Sequence, residues 1–200
     1  MIQLMSKKTT KRLLSLSTKK KMAFLVLLYE RMCPDLRFFC LTEGRDFSVF
    51  EKAHRAFWIG LKEKETSISW NLLYEEILAA APDSEEFGSW DASYALNAAL
   101  VAAEIAAFAH VPQDQNVIDA IGYARNSLDA KASSEVPSVS YTSAEEVYID
   151  QHPLVEIERN REKDDVEFLS SIDDSEWYGK ILPEIEMRAS AQSSLLRRFQ

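Results

Sequence analysis

The sequence predicts an all-α protein: a single-domain bundle of about eight to ten helices around a central buried helix near residues 90–109. Three observations carry that expectation. Glycine occurs five times and proline six times in 200 residues, below the usual shares of about 7% and 5%, and tight turns between strands need glycine. Apolar residues recur at three- and four-residue spacing, the period of one helix face. The 90–109 segment is apolar almost all round, as a helix is when it lies in an interior.

In chain order, a short helix is expected near 8–15 and a second from about 18 to 32, capped by Ser17. Pro34 suits a helix's first turn and not its interior, so a third helix is expected to begin there and stop near Gly44. Asp46 reads as the cap of a fourth helix reaching about Lys64, whose Phe47, Phe50, Phe57, Trp58 and Leu61 share a face. A fifth covers roughly 70–80 and ends before Pro82. Ser89 is placed to cap the sixth, 90–109. On it, Trp90, Tyr94, Asn97, Val101, Glu104, Ile105 and Phe108 fall in one arc. The opposite side is nearly all alanine (Ala92, Ala95, Ala99, Ala102, Ala103, Ala106), which lets neighbouring backbones come close.

Pro112 and Asp114 open a seventh helix to about 131, and the Ser-rich stretch 132–141, with Pro137, reads as a linker. Thr142 with Glu145 has the spacing of a capping box at the head of a short helix. Pro153 begins a long helix to about 173, so dense in charge between Glu156 and Glu167 that it is expected to be largely solvated. A last helix over about 175–190 is expected to bend at Pro183. The division is thus a basic arm with a short helix (1–16), a helical bundle domain (17–191) and a loose tail (192–200).

The net charge is −9, unevenly placed. Residues 1–22 hold seven bases and no acid, leaving 16 bases against 32 acids in the rest. The whole molecule therefore repels nucleic acid and anionic lipid. The arm, with no interleaved aromatics, is expected to lie against its own acidic body; the alternative is a phosphate-binding tail. The arm and the run Met22–Leu28 imitate a secretion signal, but the run continues into Tyr29-Glu30-Arg31 with no small-residue cleavage site. A cytoplasmic location without a membrane span is expected.

Candidate chemistry is sparse. Cys33 and Cys40 form neither a redox pair nor a zinc arrangement. Glu51-x-x-His54 has the spacing of helical di-iron bundles, but the second such pair is missing, and His54 lies on the apolar face with Phe47, Phe50 and Phe57. There is no nucleophile elbow, no Walker-type loop and no GxGxxG. No metal and no cofactor is expected. What stands out is a polar and aromatic set on the central helix: Trp90, Asp91, Tyr94, Asn97 and Glu104. Asn97 and Glu104, if interior, need partners; they either tie helices together, with Arg31 as a counter-ion, or line a small binding pocket in which a buried glutamate has a raised pKa.

Several stretches together carry a resemblance. Tyr29-Glu30-Arg31-Met32-Cys33-Pro34, followed by Phe39-Cys40, resembles the start of the YjaG-like family of bacterial proteins, the domain of unknown function numbered 416. Trp90-Asp91-Ala92-Ser93-Tyr94-Ala95-Leu96-Asn97-Ala98-Ala99-Leu100 resembles its second landmark, and His152-Pro153-Leu154-Val155-Glu156 a third. The resemblance covers most of the chain. It implies a compact helical bundle in the cytoplasm of a proteobacterium-like cell, and no activity, since the family has no established reaction, ligand or catalytic residue to carry over.

The function expected from all this is a non-enzymatic interaction or regulatory protein that binds a protein partner or itself. The alternative is an enzyme or small-ligand sensor using the polar and aromatic pocket on the central helix.

Overall fold

The computed structural model describes residues 4–63, 67–135 and 143–196. These form α1 (Lys7–Leu14), α2 (Thr18–Thr42), α3 (Ser48–Lys62), α4 (Trp70–Ala80), α5 (Ser84–Phe87), α6 (Trp90–His110), α7 (Asp114–Ser134), α8 (Ser143–Asp150), α9 (Pro153–Ser171) and α10 (Leu182–Leu196). A 3₁₀ turn, Asp174–Glu176, and a π-helical turn, Trp177–Ile181, lead into α10. Among the described residues there is no strand.

The expected rod is α6. It packs against α2, α3, α4, α5 and α7, and its alanine side is dry: Ala92, Ala95, Ala99, Ala102 and Ala106 are fully buried and Ala103 is 2% exposed. Because these side chains end at Cβ, neighbouring helices can come close, and the same core holds the large buried side chains Phe24, Leu28 and Phe39 of α2 and Phe50 and Phe57 of α3. Burying one such side chain stabilises the fold by about 1.5–3 kcal/mol. The Ser89 side chain accepts from the Ala92 N–H at 3.2 Å and closes the N-terminus of α6 as expected. Among the described residues α6 alone is long and apolar enough to cross a membrane, and most of it is buried inside the bundle.

The helix starts and stops follow local chemistry. Asp46 Oδ1 accepts from the Ser48 N–H at 2.8 Å, which starts α3. Gly44, at φ +64°, ends α2: the Arg45 N–H donates back to the Cys40 carbonyl at 2.8 Å, a closure that needs a left-handed residue in between. Ser17 stands in the N-cap position of α2, although its hydroxyl makes no capping bond.

Two expectations are corrected. The chain does not break at Pro34, because α2 is one helix of 25 residues with Pro34 inside it. Proline removes one N–H from the ladder, at a cost of about 3 kcal/mol, but buried side chains lie on both sides of it, from Tyr29 and Met32 to Leu36, Phe39 and Cys40. Several such burials outweigh one lost bond. Nor is α9 solvated all round: Glu156, Asn160, Lys163, Asp164 and Glu167 are exposed, but the opposite side is not. Its Val155, Glu158, Glu162, Asp165, Val166 and Leu169 are all buried.

Elsewhere the differences are of boundary. α7 runs through Ser134, so the first residues of the expected linker are helical; 136–141 and the Thr142 cap lie outside the described residues, as do Lys64 and residues 197–200. Pro183 sits in the first turn of α10, directly after the π-helical turn. There, Trp177 Nε1 donates to the Leu61 carbonyl at 3.1 Å, and Lys20 donates to the Ile172 carbonyl and pairs with Asp174 at 2.7 Å, fixing the last segment to α2 and α3. The basic helix α1 packs on α9.

Candidate functional site

The middle of α2 presents charge to two sides. On one side Arg31, 6% exposed, enters a sealed cluster formed with α9 and α10. Its Nε lies 2.6 Å from Glu158 Oε1 and its Nη1 2.8 Å from Asp165 Oδ2. The other Asp165 oxygen takes Arg188 Nη1 at 2.9 Å, and Arg188 Nε pairs with Glu184 at 2.9 Å. Glu158, Glu162 and Asp165 follow one another at four and three residues, so α9 turns all three inward.

Glu162 is fully buried, and neither of its carboxylate oxygens has a hydrogen-bond partner. Burial pushes its pKa well above the usual glutamate range, and the neighbouring Glu158 pushes it further, against the pull of Arg31. For Arg31, burial acts to lower the pKa, but Glu158, Asp165 and Glu162 outweigh it and the value rises.

On the other side, Glu30 Oε1 accepts from Trp58 Nε1 at 2.8 Å and lies 2.6 Å from His54 Nε2. The ring of His54 is partly open to solvent. Tyr29, wholly buried, stands 6.4 Å from it, centroid to centroid. Cys33 lies beside Tyr29, and burial pushes its thiol up to about 11; burial raises the Cys40 thiol as well. Both thiols are thus kept protonated at neutral pH, the opposite of nucleophile activation. Glu51 does not meet His54: it faces Arg37 on the surface at 3.3 Å. No group of metal-ligating side chains forms among the described residues.

The residues singled out on the central helix separate into two places. Trp90 and Asp91 are exposed at its start, Tyr94 is buried one turn on, Asn97 and Glu104 are half-buried. Lys131 of α7 lies over the Tyr94 ring at 5.2 Å and pairs with Asp35 of α2 at 2.5 Å. Burial raises the Tyr94 phenol, against a hydrogen bond with Ser134. At 1.5 Å per residue, Glu104 lies about 15 Å further along the axis than Tyr94. It accepts from Asn116 Nδ2 at 2.8 Å, and burial raises its carboxyl. Asn116 borders a cleft of about 210 Å³. Arg31, expected as the counter-ion of Glu104, is committed to Glu158 and Asp165 instead.

The Arg31 cluster is what sequence reasoning missed. The signal was present: three acids on α9 repeat at helical spacing in line with Val155, Val166 and Leu169, so they interrupt an apolar stripe and do not belong to the wet face.

Comparison with known proteins places this geometry. The family model "Protein of unknown function (DUF416)" matches residues 8–187. A crystal structure of a DUF416 family protein from Shewanella baltica OS155 is similar in fold, with a TM-score of 0.75 over 88% of this chain and 93% of that chain, at 16% sequence identity. No curated protein matches the chain in sequence.

Proposed function

The chain belongs to the DUF416 family of proteins of unknown function, and from that premise we propose that it is a non-enzymatic interaction protein whose binding face is the bundle end around Trp90. The observation that carries the reading is Trp90 itself, 53% exposed at the head of a helix whose alanine side is buried. Tryptophan is among the residue types that most often anchor an interface.

Its surroundings support the reading. Asp35, Lys131 and Tyr94 bring the second half of α2 and the end of α7 against the start of α6. Phe39 stacks edge-on against Phe87 at 5.0 Å, three residues before Trp90. Phe38 and Leu41, one turn apart on α2, are 46% and 75% exposed at this same end. Asp83, Glu85, Glu86 and Asp91 are exposed in the chain leading to and from Trp90. Acidic surroundings of an apolar anchor fit a partner with a basic rim, and they disfavour a second copy, which would bring the same acids together.

The test is a partner captured by the protein, identified, purified and titrated against wild type and Trp90→Ala. Binding should weaken with salt and fall about thirtyfold or more with Trp90→Ala, as for an anchor worth at least 2 kcal/mol. Equal affinity for Trp90→Ala would overturn the reading, as would self-association as the only interaction found.

A second reading, a small-ligand sensor, is favoured by one observation: Glu104 has a raised carboxyl and is bonded to Asn116, which lines a cleft. Glu104→Gln separates the two. Changed stability with unchanged partner binding fits a structural glutamate, and a changed ligand response in a stable protein fits the sensor.

A further inference from the structure

We propose that the groove between α1 and α9 is a binding site for a small phosphate-bearing molecule. The groove encloses about 630 Å³, within the size range of small-molecule sites. Its walls are two cationic pairs set at i,i+4 on the two helices, Lys8 with Arg12 on α1 and Arg159 with Lys163 on α9. Like charges one turn apart on a helix repel, so the Lys8 and Arg12 pair on α1 is disfavoured where it stands and is relieved by an anion lying between the helices. Against the four cations the groove holds two acids, Asp150 and Glu167.

The acids are placed so that they do not close the site. Asp150 Oδ1 holds Arg159 Nη2 at 2.8 Å and fixes that guanidinium, while Glu167 reaches Lys163 only at 4.0 Å. Lys8 and Arg12 make no ion pair among the described residues. By contrast Lys20 and Lys21, from the same basic stretch, are committed to Asp174 and Asp114. The helix α1 thus lies against α9, and by doing so it builds a cationic groove on a molecule of net charge −9.

The chemistry favours a phosphate dianion, which matches the surplus of two positive charges, over a monocarboxylate, which would neutralise only half of it. Asn160, in the same wall, adds an amide donor. An extended polyanion is disfavoured by the net charge of −9 on the whole molecule.

The probe is inorganic pyrophosphate, titrated calorimetrically against the full chain, wild type and Lys8→Glu/Arg12→Glu. Binding to wild type that weakens as salt rises is expected, with a loss of about tenfold or more in the double variant. Lys163→Ala, on the facing helix, should weaken it too, while Lys180→Ala, in the π-helical turn, should not. Circular dichroism checks that each variant is folded. No binding of pyrophosphate, equal binding by the double variant, or tighter binding of oligothymidylate than of pyrophosphate would overturn the proposal.

Discussion

Arg31 of α2 and Asp165 of α9 meet at 2.8 Å, with their side chains 4% and 2% exposed, in the interior of the bundle. Around this contact Glu158, Glu162 and Arg188 complete a charged cluster that ties α2, α9 and α10 together. Ion pairs in such a place give a fold specificity more readily than net stability, because both charges have left water. What they do make costly is the loss of one partner.

Arg31→Ala should therefore be among the most damaging substitutions in the chain. It strips the buried Glu158 of its close cation and leaves Asp165 with Arg188 alone, a loss expected to cost about 3–5 kcal/mol. Urea denaturation measures it. A change below about 1 kcal/mol, the value of an exposed pair, would mean that the cluster is hydrated.

Glu162→Gln should act in the opposite sense. The folded protein holds the Glu162 proton to a higher pH than the unfolded chain does, because burial and Glu158 raise its pKa. Its contribution to stability is therefore fully present below the ordinary glutamate range and is lost as pH rises through the raised folded value. Glutamine carries no such proton. The Tm of Glu162→Gln relative to wild type should accordingly climb between pH 5 and pH 8, and a constant difference across that range would show that Glu162 is ionised in the fold.

Gly60→Ala sets two effects against each other. A Cβ at this position would stand 3.1 Å from Cζ2 of the Trp70 ring, which is itself stacked on Phe57. Overpacking of this kind costs about 1–3 kcal/mol, and the gain in helix propensity is about 1 kcal/mol. The net expectation is a loss of about 1 kcal/mol in chemical denaturation. A gain would show that Trp70 moves aside freely.

Much of this architecture was legible in the sequence, because local chemistry and packing agree where it was. Ser89, Asp46 and Gly44 act where their side chains, or the lack of one, predicted, and the alanine face of the 90–109 segment lies in the interior. The failures share a cause. Pro34 was read from its missing N–H alone, and the α9 acids from their charge alone, whereas in both places burial across helices decides. Partners such as Arg31 and Asp165, separated by 134 positions in the chain, are joined only by the fold. Sequence spacing could mark the three inward acids on α9 but not the arginine that meets them.

Cys33 offers a check on the α2 environment. With its thiol raised to about 11 by burial, it should react with a thiol reagent at pH 7.5 far more slowly than in the unfolded chain, since the thiolate is the reactive form. Reaction at the unfolded rate would contradict the packing around Tyr29.

The most direct test of the architecture and of the proposed binding face together is paired cysteine labelling on α6, in a Cys33→Ala/Cys40→Ala background. Trp90→Cys, at the exposed head of the helix, should label at about the rate of unfolded peptide, and Ala99→Cys, on the alanine side, should be protected about a thousandfold or more. Rapid labelling at Ala99 would place that side of α6 in water and contradict the account from its core outward.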